Sequence, residues 1–117
     1  MLNKLRYWLK PINTIFEDFN GYVLDADDKT KHRIFIDRDA SVLFVAHLDT
    51  VIKPKFHGKT NKRIYASGLD DRLGCLIAYE LSEQLNADLL LTDHEESGGT
   101  TIAYQDCEKY NLSLIHI

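Results

Sequence analysis

The sequence predicts an α/β fold, in which a sheet has helical crossovers, from two apolar segments and the helix between them. Residues 41–46 (SVLFVA) and 87–92 (ADLLLT) are predominantly apolar, as is typical of strands buried on both faces. Residues 71–85 carry apolar side chains at helical spacing, which predicts an amphipathic helix. Its expected buried stripe consists of Leu73, Leu76, Ile77, Leu81 and Leu85. Strand, helix and strand in this order indicate a crossover between two strands of one sheet.

The elements before residue 41 are two short helices and a hairpin. Apolar residues recur at steps of three and four from Leu2 to Phe19, and Pro11 interrupts them, so we expect Pro11 to be the first residue of a second helix. Residues 22–25 and 33–37 flank a polar turn and predict two strands. Their alternation predicts a hairpin with one face in water.

Two further elements are predicted in the second half of the chain. Residues 55–57 and 63–66 flank turn residues and predict a second short hairpin within a Lys-rich stretch. Gly98-Gly99 precedes residues 100–108, for which we expect a helix. The chain contains no repeat and no low-complexity segment.

Composition narrows the class of protein. The chain has 117 residues, enough for one small domain, and is 44% hydrophobic and 27% charged. Its net charge of −4 argues against a nucleic-acid module, and no apolar run is long enough to span a membrane. Cys75 and Cys107 are too few for a disulfide framework, so we expect reduced core thiols and a cytoplasmic protein.

Three polar clusters lie where a site of an α/β protein is expected. His47-Leu48-Asp49 and Glu95-Glu96 follow the two apolar strands, and Asp70-Asp71 precedes the long helix. Because functional groups of open α/β sheets gather beyond the carboxyl ends of the strands, we expect the clusters to share one site.

The residue types in these clusters suit a pair of divalent metal ions. Imidazole and carboxylate are ordinary zinc ligands, and one carboxylate can bridge two ions. In a His-x-Asp at a strand end, Asp49 can hold the imidazole of His47 in one tautomer. Of two adjacent glutamates, one can ligate while the other takes a proton from water. Taken singly, each cluster has a structural alternative: a partly buried histidine, a helix cap, or a polar loop.

The three motifs FVAHLDTV, SGLDDRLG and LTDHEESGG, in this order, resemble the co-catalytic zinc exopeptidases. That superfamily includes peptidase T, acetylornithine deacetylase and aminopeptidases with a Leu-Asp-Asp-Arg motif. The resemblance covers residues 41–99 and implies a mixed, mostly parallel sheet flanked by helices. It also implies a metal-dependent hydrolase, a peptidase or deacylase, acting on a small peptide or an acylated amino acid.

The resemblance implies a role for each matching residue. His47 would ligate the first metal ion and Asp49 would orient that histidine. Asp70 would bridge two zinc ions, Glu96 would ligate the second, and Glu95 would be the general base. The same ligands can hold cobalt or manganese. The peptide bond between Asp70 and the next residue is typically cis in this superfamily, and the basic residue after the Asp pair receives no catalytic role.

The resemblance also implies that the ligand set is incomplete. A carboxylate on a following strand and a distant histidine are expected and absent from the sequence. We therefore expect residues 1–111 to be the N-terminal part of a catalytic domain, inactive alone, whose intact form can oligomerise. Residues 112–117 (LSLIHI) match a translated transposon end used in sequencing and are expected to be adapter-derived. The alternative is a natural strand, because the segment alternates plausibly.

Two other functions are alternatives to the hydrolase. A non-catalytic binding or interaction descendant of the same fold is favoured by the absent ligands and disfavoured by the clustered acids, which repel one another without a cation. A nucleic-acid binder using the basic residues of 53–63 is less favoured, because a solvated hairpin explains them equally well.

Overall fold

The computed structural model describes residues 2–25, 32–94, 110 and 114–117. Its helices are α1 Leu2–Trp8, α2 Ile12–Asp18 and α3 Leu69–Gln84, with a short 3₁₀ turn, Asn20–Tyr22, after α2. Its strands are β1 Val23–Asp25, β2 His32–Ile36, β3 Leu43–His47, β4 Lys55–Lys59, β5 Ile64–Ser67, β6 Asp88–Thr92 and β7 Leu114–His116. The described chain is therefore a mixed α/β structure.

The N-terminal segment forms two helices because Pro11 stands between them. Pro11 has an extended backbone (φ −54°, ψ 145°) and is the N-cap of α2, so the helix begins one residue later than predicted. The predicted break between two helices at Pro11 is confirmed. Both helices pack against the core through buried side chains, which are Leu5 and Trp8 of α1 and Ile15 of α2.

The main sheet has the strand order β1-β2-β6-β3-β7. β3 pairs in parallel with β6 and β7, whereas β2 pairs antiparallel with β1 and β6. Among the described strands the sheet is therefore evenly mixed rather than mostly parallel. The two apolar segments form the adjacent central strands β3 and β6, and every residue of β6 is buried, which confirms the sequence prediction.

Strand β2 has no fully wetted face, so that part of the hairpin prediction is wrong. Ile34 and Ile36 are buried in the main core. Phe35, on the opposite face, pairs with Leu90 and packs against a second apolar cluster that includes Val45. The reason is that the main core covers one face of β2 and the second apolar cluster contacts the other.

Helix α3 is present as predicted, but only part of the expected stripe is covered: Leu76 is buried and Leu81 packs against the core. Its buried residues are Arg72, Gly74, Cys75, Leu76, Ala78 and Ser82. Leu73 and Ile77, from the expected stripe, are each 41% exposed, and Leu85 is 65% exposed. The backbone of Asp70 and Asp71 is not helical, so the regular helix begins at Arg72 and turns that residue inward.

At the amino end of β6, a buried carboxylate holds the loop that joins β2 to β3. Asp88 accepts hydrogen bonds from the backbone N–H groups of Arg38 (2.7 Å) and Ala40 (3.2 Å) and from the Tyr110 hydroxyl. The Arg38 guanidinium donates to the Ala87 carbonyl at 2.8 Å. This network lies at the end of the sheet opposite the carboxyl ends of β3 and β6.

The remaining elements agree with the sequence where the structure describes them. β4 and β5 form a separate antiparallel hairpin, as predicted. The helix expected over residues 100–108 lies outside the described residues. Leu114–His116 forms the edge strand β7, and the adapter origin of residues 112–117 stays a prediction. In the described ranges, no helix combines the length and apolarity needed to cross a membrane.

Candidate functional site

β3 and β6 end side by side, so the residues that follow them emerge at one edge of the sheet. His47 is in register with Thr92, and the Leu48 N–H donates to the Thr92 carbonyl at 2.7 Å. Glu95 and Glu96, predicted as general base and metal ligand, lie outside the described residues. We use "candidate site" for the described polar residues at this edge: His47, Asp49, Asp70, Asp71 and Asp93.

The imidazole of His47 lies between two residues of the predicted site. Its Nδ1 is 2.9 Å from the Asp49 backbone carbonyl and 3.5 Å from the Asp49 carboxylate. Because a carbonyl only accepts, Nδ1 carries the proton and Nε2 of neutral His47 keeps its lone pair. That Nε2 is 3.4 Å from Asp70 Oδ1. Asp49 thus contacts His47 as predicted, but its main chain makes the shorter contact.

The carboxylates around His47 raise its pKa when no other cation is bound nearby. Burial lowers its pKa, whereas the hydrogen bond to Asp49 and the charges of Asp71, Asp49 and Asp70 raise it, and the net shift is upward. The carboxylates therefore favour a positive charge at this point, carried by a proton or by another cation.

Asp71 supports the strand end rather than facing solvent. Its Oδ2 accepts the backbone N–H of His47 at 3.2 Å, and the preceding peptide bond, Asp70–Asp71, is cis, as the resemblance implied. Gly74 makes room for this carboxylate, because a Cβ at Gly74 would lie 2.8 Å from Asp71 Oδ2. Burial raises the pKa of Asp71; the His47 hydrogen bond and the charges of His47 and His116 oppose the shift, and Asp70 adds to it.

A cleft of about 350 Å³ adjoins the candidate site on the side of Asp49. Asp49, Lys53, Arg72 and Asp93 line part of it. Asp93, which the sequence analysis did not single out, has a side chain only 15% exposed and accepts the His94 N–H at 2.8 Å. Burial raises its pKa, and nearby Asp49 raises it further. The sequence feature that could have identified Asp93 is its position directly after the strand β6.

Arg72 is a buried cation that donates three hydrogen bonds to backbone carbonyls. Its Nε donates to the Leu48 carbonyl at 2.6 Å, and Nη1 donates to the carbonyls of Trp8 (2.7 Å) and Lys10 (2.6 Å). Its side chain therefore joins the end of α1 to the segment between His47 and Asp49. Burial lowers the pKa of this arginine, and neighbouring acidic groups oppose that shift.

Cys75 also contacts the carboxyl end of β3, at His47. It is a free, fully buried thiol, and its Sγ donates to the His47 carbonyl at 3.1 Å. Burial raises its pKa well above the ordinary value, so the thiol is protonated and unreactive at neutral pH. Cys75 therefore belongs to the scaffold of the site.

The described residues supply two donors whose spacing fits one metal ion. Two ligands about 2.1 Å from a tetrahedral ion lie about 3.4 Å apart, and His47 Nε2 and Asp70 Oδ1 are 3.4 Å apart. The Asp70 side chain is 88% exposed, which leaves it open to an incoming ion. Within the described ranges, no group of three or more His, Cys, Asp or Glu residues could hold a metal ion. A third ligand would have to come from elsewhere.

Comparison with known proteins finds no match to this chain among family models, curated proteins or solved structures. The contacts of His47 with Asp49 and Asp70, together with the order of the sequence motifs, are therefore the basis for assigning a function.

Proposed function

We propose that the chain carries part of the active site of a two-metal hydrolase that cleaves a peptide-like amide bond. The proposal includes a fold of the zinc-exopeptidase type. The observation that carries it is the 3.4 Å separation between His47 Nε2 and Asp70 Oδ1. An unprotonated imidazole nitrogen and a carboxylate oxygen repel each other at this distance unless a proton or a metal cation lies between them.

In this proposal each residue has one task. His47 and Asp70 hold zinc, with cobalt or manganese as possible replacements, and Asp49 keeps the His47 ring in its tautomer. Glu96 supplies a further ligand, and Glu95 takes the proton from the attacking water and passes it to the leaving amine. A bound divalent cation supplies Lewis acidity, which polarises the scissile carbonyl and makes water a stronger nucleophile.

The substrate that we propose is a small peptide or an acylated amino acid. We place the protein in the cytoplasm because Cys75 is a free, buried thiol. The proposal involves neither nucleic acid nor a membrane, and oligomerisation of the intact protein is compatible with it.

Zinc content tests the metal site. We expect the purified chain to bind zinc in calorimetric titration, and we expect Asp70→Ala to weaken binding at least tenfold. Glu80→Ala is the matched control, because it removes a carboxylate of the same helix that pairs with Lys4 outside the candidate site. Equal zinc affinity in wild type and Asp70→Ala would contradict the assignment.

Turnover tests the general base separately. In the protein that carries the complete ligand set, Glu95→Gln is expected to abolish hydrolysis of dipeptides and acylated amino acids while zinc content stays nearly intact. Zinc binding by a complete protein that hydrolyses no such substrate would favour the alternative of a non-catalytic binding module.

A further inference from the structure

The β4–β5 hairpin and its flanks form an electrostatically separate part of the chain. Residues 50–69 contain five Lys or Arg residues and no Asp or Glu, whereas the other 97 residues carry nine basic and eighteen acidic ones. We call the five basic residues the hairpin cations; they are Lys53, Lys55, Lys59, Lys62 and Arg63. A strongly positive element therefore projects from a chain whose remainder has a net charge of −9.

This positive element begins and ends at the candidate site. Asp49 directly precedes residues 50–69 and Asp70 directly follows them. The two ends of the element are held together, because Gly68 lies so close to Pro54 that a Cβ on Gly68 would be 2.7 Å from the Pro54 Cα. A molecule bound along the hairpin would consequently reach the candidate site.

The hairpin presents its cations outward. Phe56 and Ala66, paired across the two strands, pack toward the main core, and the Arg6 guanidinium lies 4.2 Å from the centre of the Phe56 ring. Lys55 and Lys59, at the two ends of β4, are both exposed, although an irregular register between Phe56 and Gly58 interrupts the alternation of side chains between them.

Three hairpin cations also line a cleft at the hairpin tip. Lys59, Lys62 and Arg63 border a cavity of about 470 Å³. The Thr60 hydroxyl oxygen fixes the turn by accepting the backbone N–H groups of Lys62 (3.3 Å) and Arg63 (3.1 Å). Throughout the described ranges, no ion pair joins a hairpin cation to a carboxylate.

We propose that the hairpin cations bind an acidic peptide segment. An extended peptide can bring several Asp or Glu side chains beside these exposed cations, and such complementary charges attract one another. If the chain is the proposed hydrolase, its substrates are peptides that carry Asp or Glu side chains beyond the scissile bond. This substrate preference rests on the proposed function.

A peptide fits this surface better than a nucleic acid does. The candidate site beside the hairpin carries Asp49, Asp70 and Asp71, which repel a continuous phosphate backbone. A peptide can place its carboxylates over the hairpin only and present neutral backbone to the candidate site. The proposed occupant is therefore an acidic peptide and not DNA or RNA.

Fluorescence anisotropy with the 117-residue chain tests this binding. The probes are a labelled peptide of alternating Glu and Ala, its Gln counterpart, and a single-stranded DNA of equal charge. We expect Lys55→Gln/Lys59→Gln to weaken binding of the Glu peptide by roughly three- to tenfold, the value of two exposed charge contacts. The control Lys4→Gln/Lys10→Gln removes the same charge from outside the hairpin and should leave affinity unchanged.

The outcomes separate the alternatives. Binding of the Glu peptide that the hairpin variant weakens and the control variant does not would support the proposal. Absence of binding at low salt, equal loss in both variants, or tighter binding of the DNA would overturn it. Zinc titration of the same variants distinguishes peptide binding by the hairpin from the proposed hydrolase function. If the chain binds the Glu peptide through the hairpin but has no affinity for zinc, the peptide-binding proposal stands and the hydrolase proposal fails.

Discussion

Arg72 joins the N-terminal helix to the candidate site, and its replacement by methionine tests that connection. Arg72→Met keeps a long apolar stem but removes donors to the carbonyls of Leu48, Trp8 and Lys10, all within 2.7 Å. A hydrogen bond from a charged group contributes about 1.5–3 kcal/mol. Partial relaxation and relief of a buried charge offset some of the loss, so we expect destabilisation of about 3–5 kcal/mol.

Urea unfolding followed by circular dichroism measures this loss. With a denaturant slope of about 2 kcal/mol/M for a small domain, the midpoint should fall by roughly 2 M. Arg63→Met is the matched control, because Arg63 is an exposed hairpin cation, and its effect should stay within about 0.5 kcal/mol. If both variants unfold at the same urea concentration, the buried arginine does not hold the site as described.

Three other predictions concern the scaffold. Gly74→Ala should push away the Asp71 carboxylate, shift the His47 amide resonance and destabilise the chain by about 1–3 kcal/mol; stabilisation by about 1 kcal/mol, as helix propensity alone predicts, would contradict this. Asp88→Ala should cost about 2–4 kcal/mol in urea unfolding, since three donors lose their acceptor, and an unchanged midpoint would show that the network is dispensable. Burial raises the pKa of Tyr79 to about 12 from 10.0, so its contribution to stability is present below pH 10 and is lost as the pH rises toward 12. Between pH 10 and 12, Tyr79→Phe should lose less of its free energy of unfolding than the wild type does. Identical pH dependence in the two proteins would refute the raised pKa of Tyr79.

The sequence contains enough information to predict the central strands and the edge where they end. Short, predominantly apolar segments are typical of strands whose two faces are both covered, and this pattern identified β3 and β6. Polar residues directly after such runs lie at one edge of the sheet, which is why His47 and Asp49 are expected at the site. Asp70 is expected there because it precedes the helix that connects the two strands. The structure brings these three side chains together, while their chemical roles stay predictions.

The features that were not predicted depend on contacts between distant segments. Periodicity shows that α3 is amphipathic, but Leu73 and Ile77 became exposed because Arg72 turns inward to carbonyls of α1 and of the loop after β3. A sequence does not reveal acceptors more than sixty residues away. The same holds for Asp88, whose donors come from the loop before β3 and from Tyr110.

Nitrogen-15 NMR of the histidine rings, with and without zinc, tests the central claim most directly. We predict that Nδ1 of His47 carries the proton in the neutral ring, that Nε2 does not, and that zinc shifts the Nε2 resonance. His57, whose Nε2 lies 3.3 Å from the Ser67 hydroxyl on the hairpin, should be unaffected. A proton on Nε2 of neutral His47, or zinc shifts that are equal for His47 and His57, would contradict the metal site.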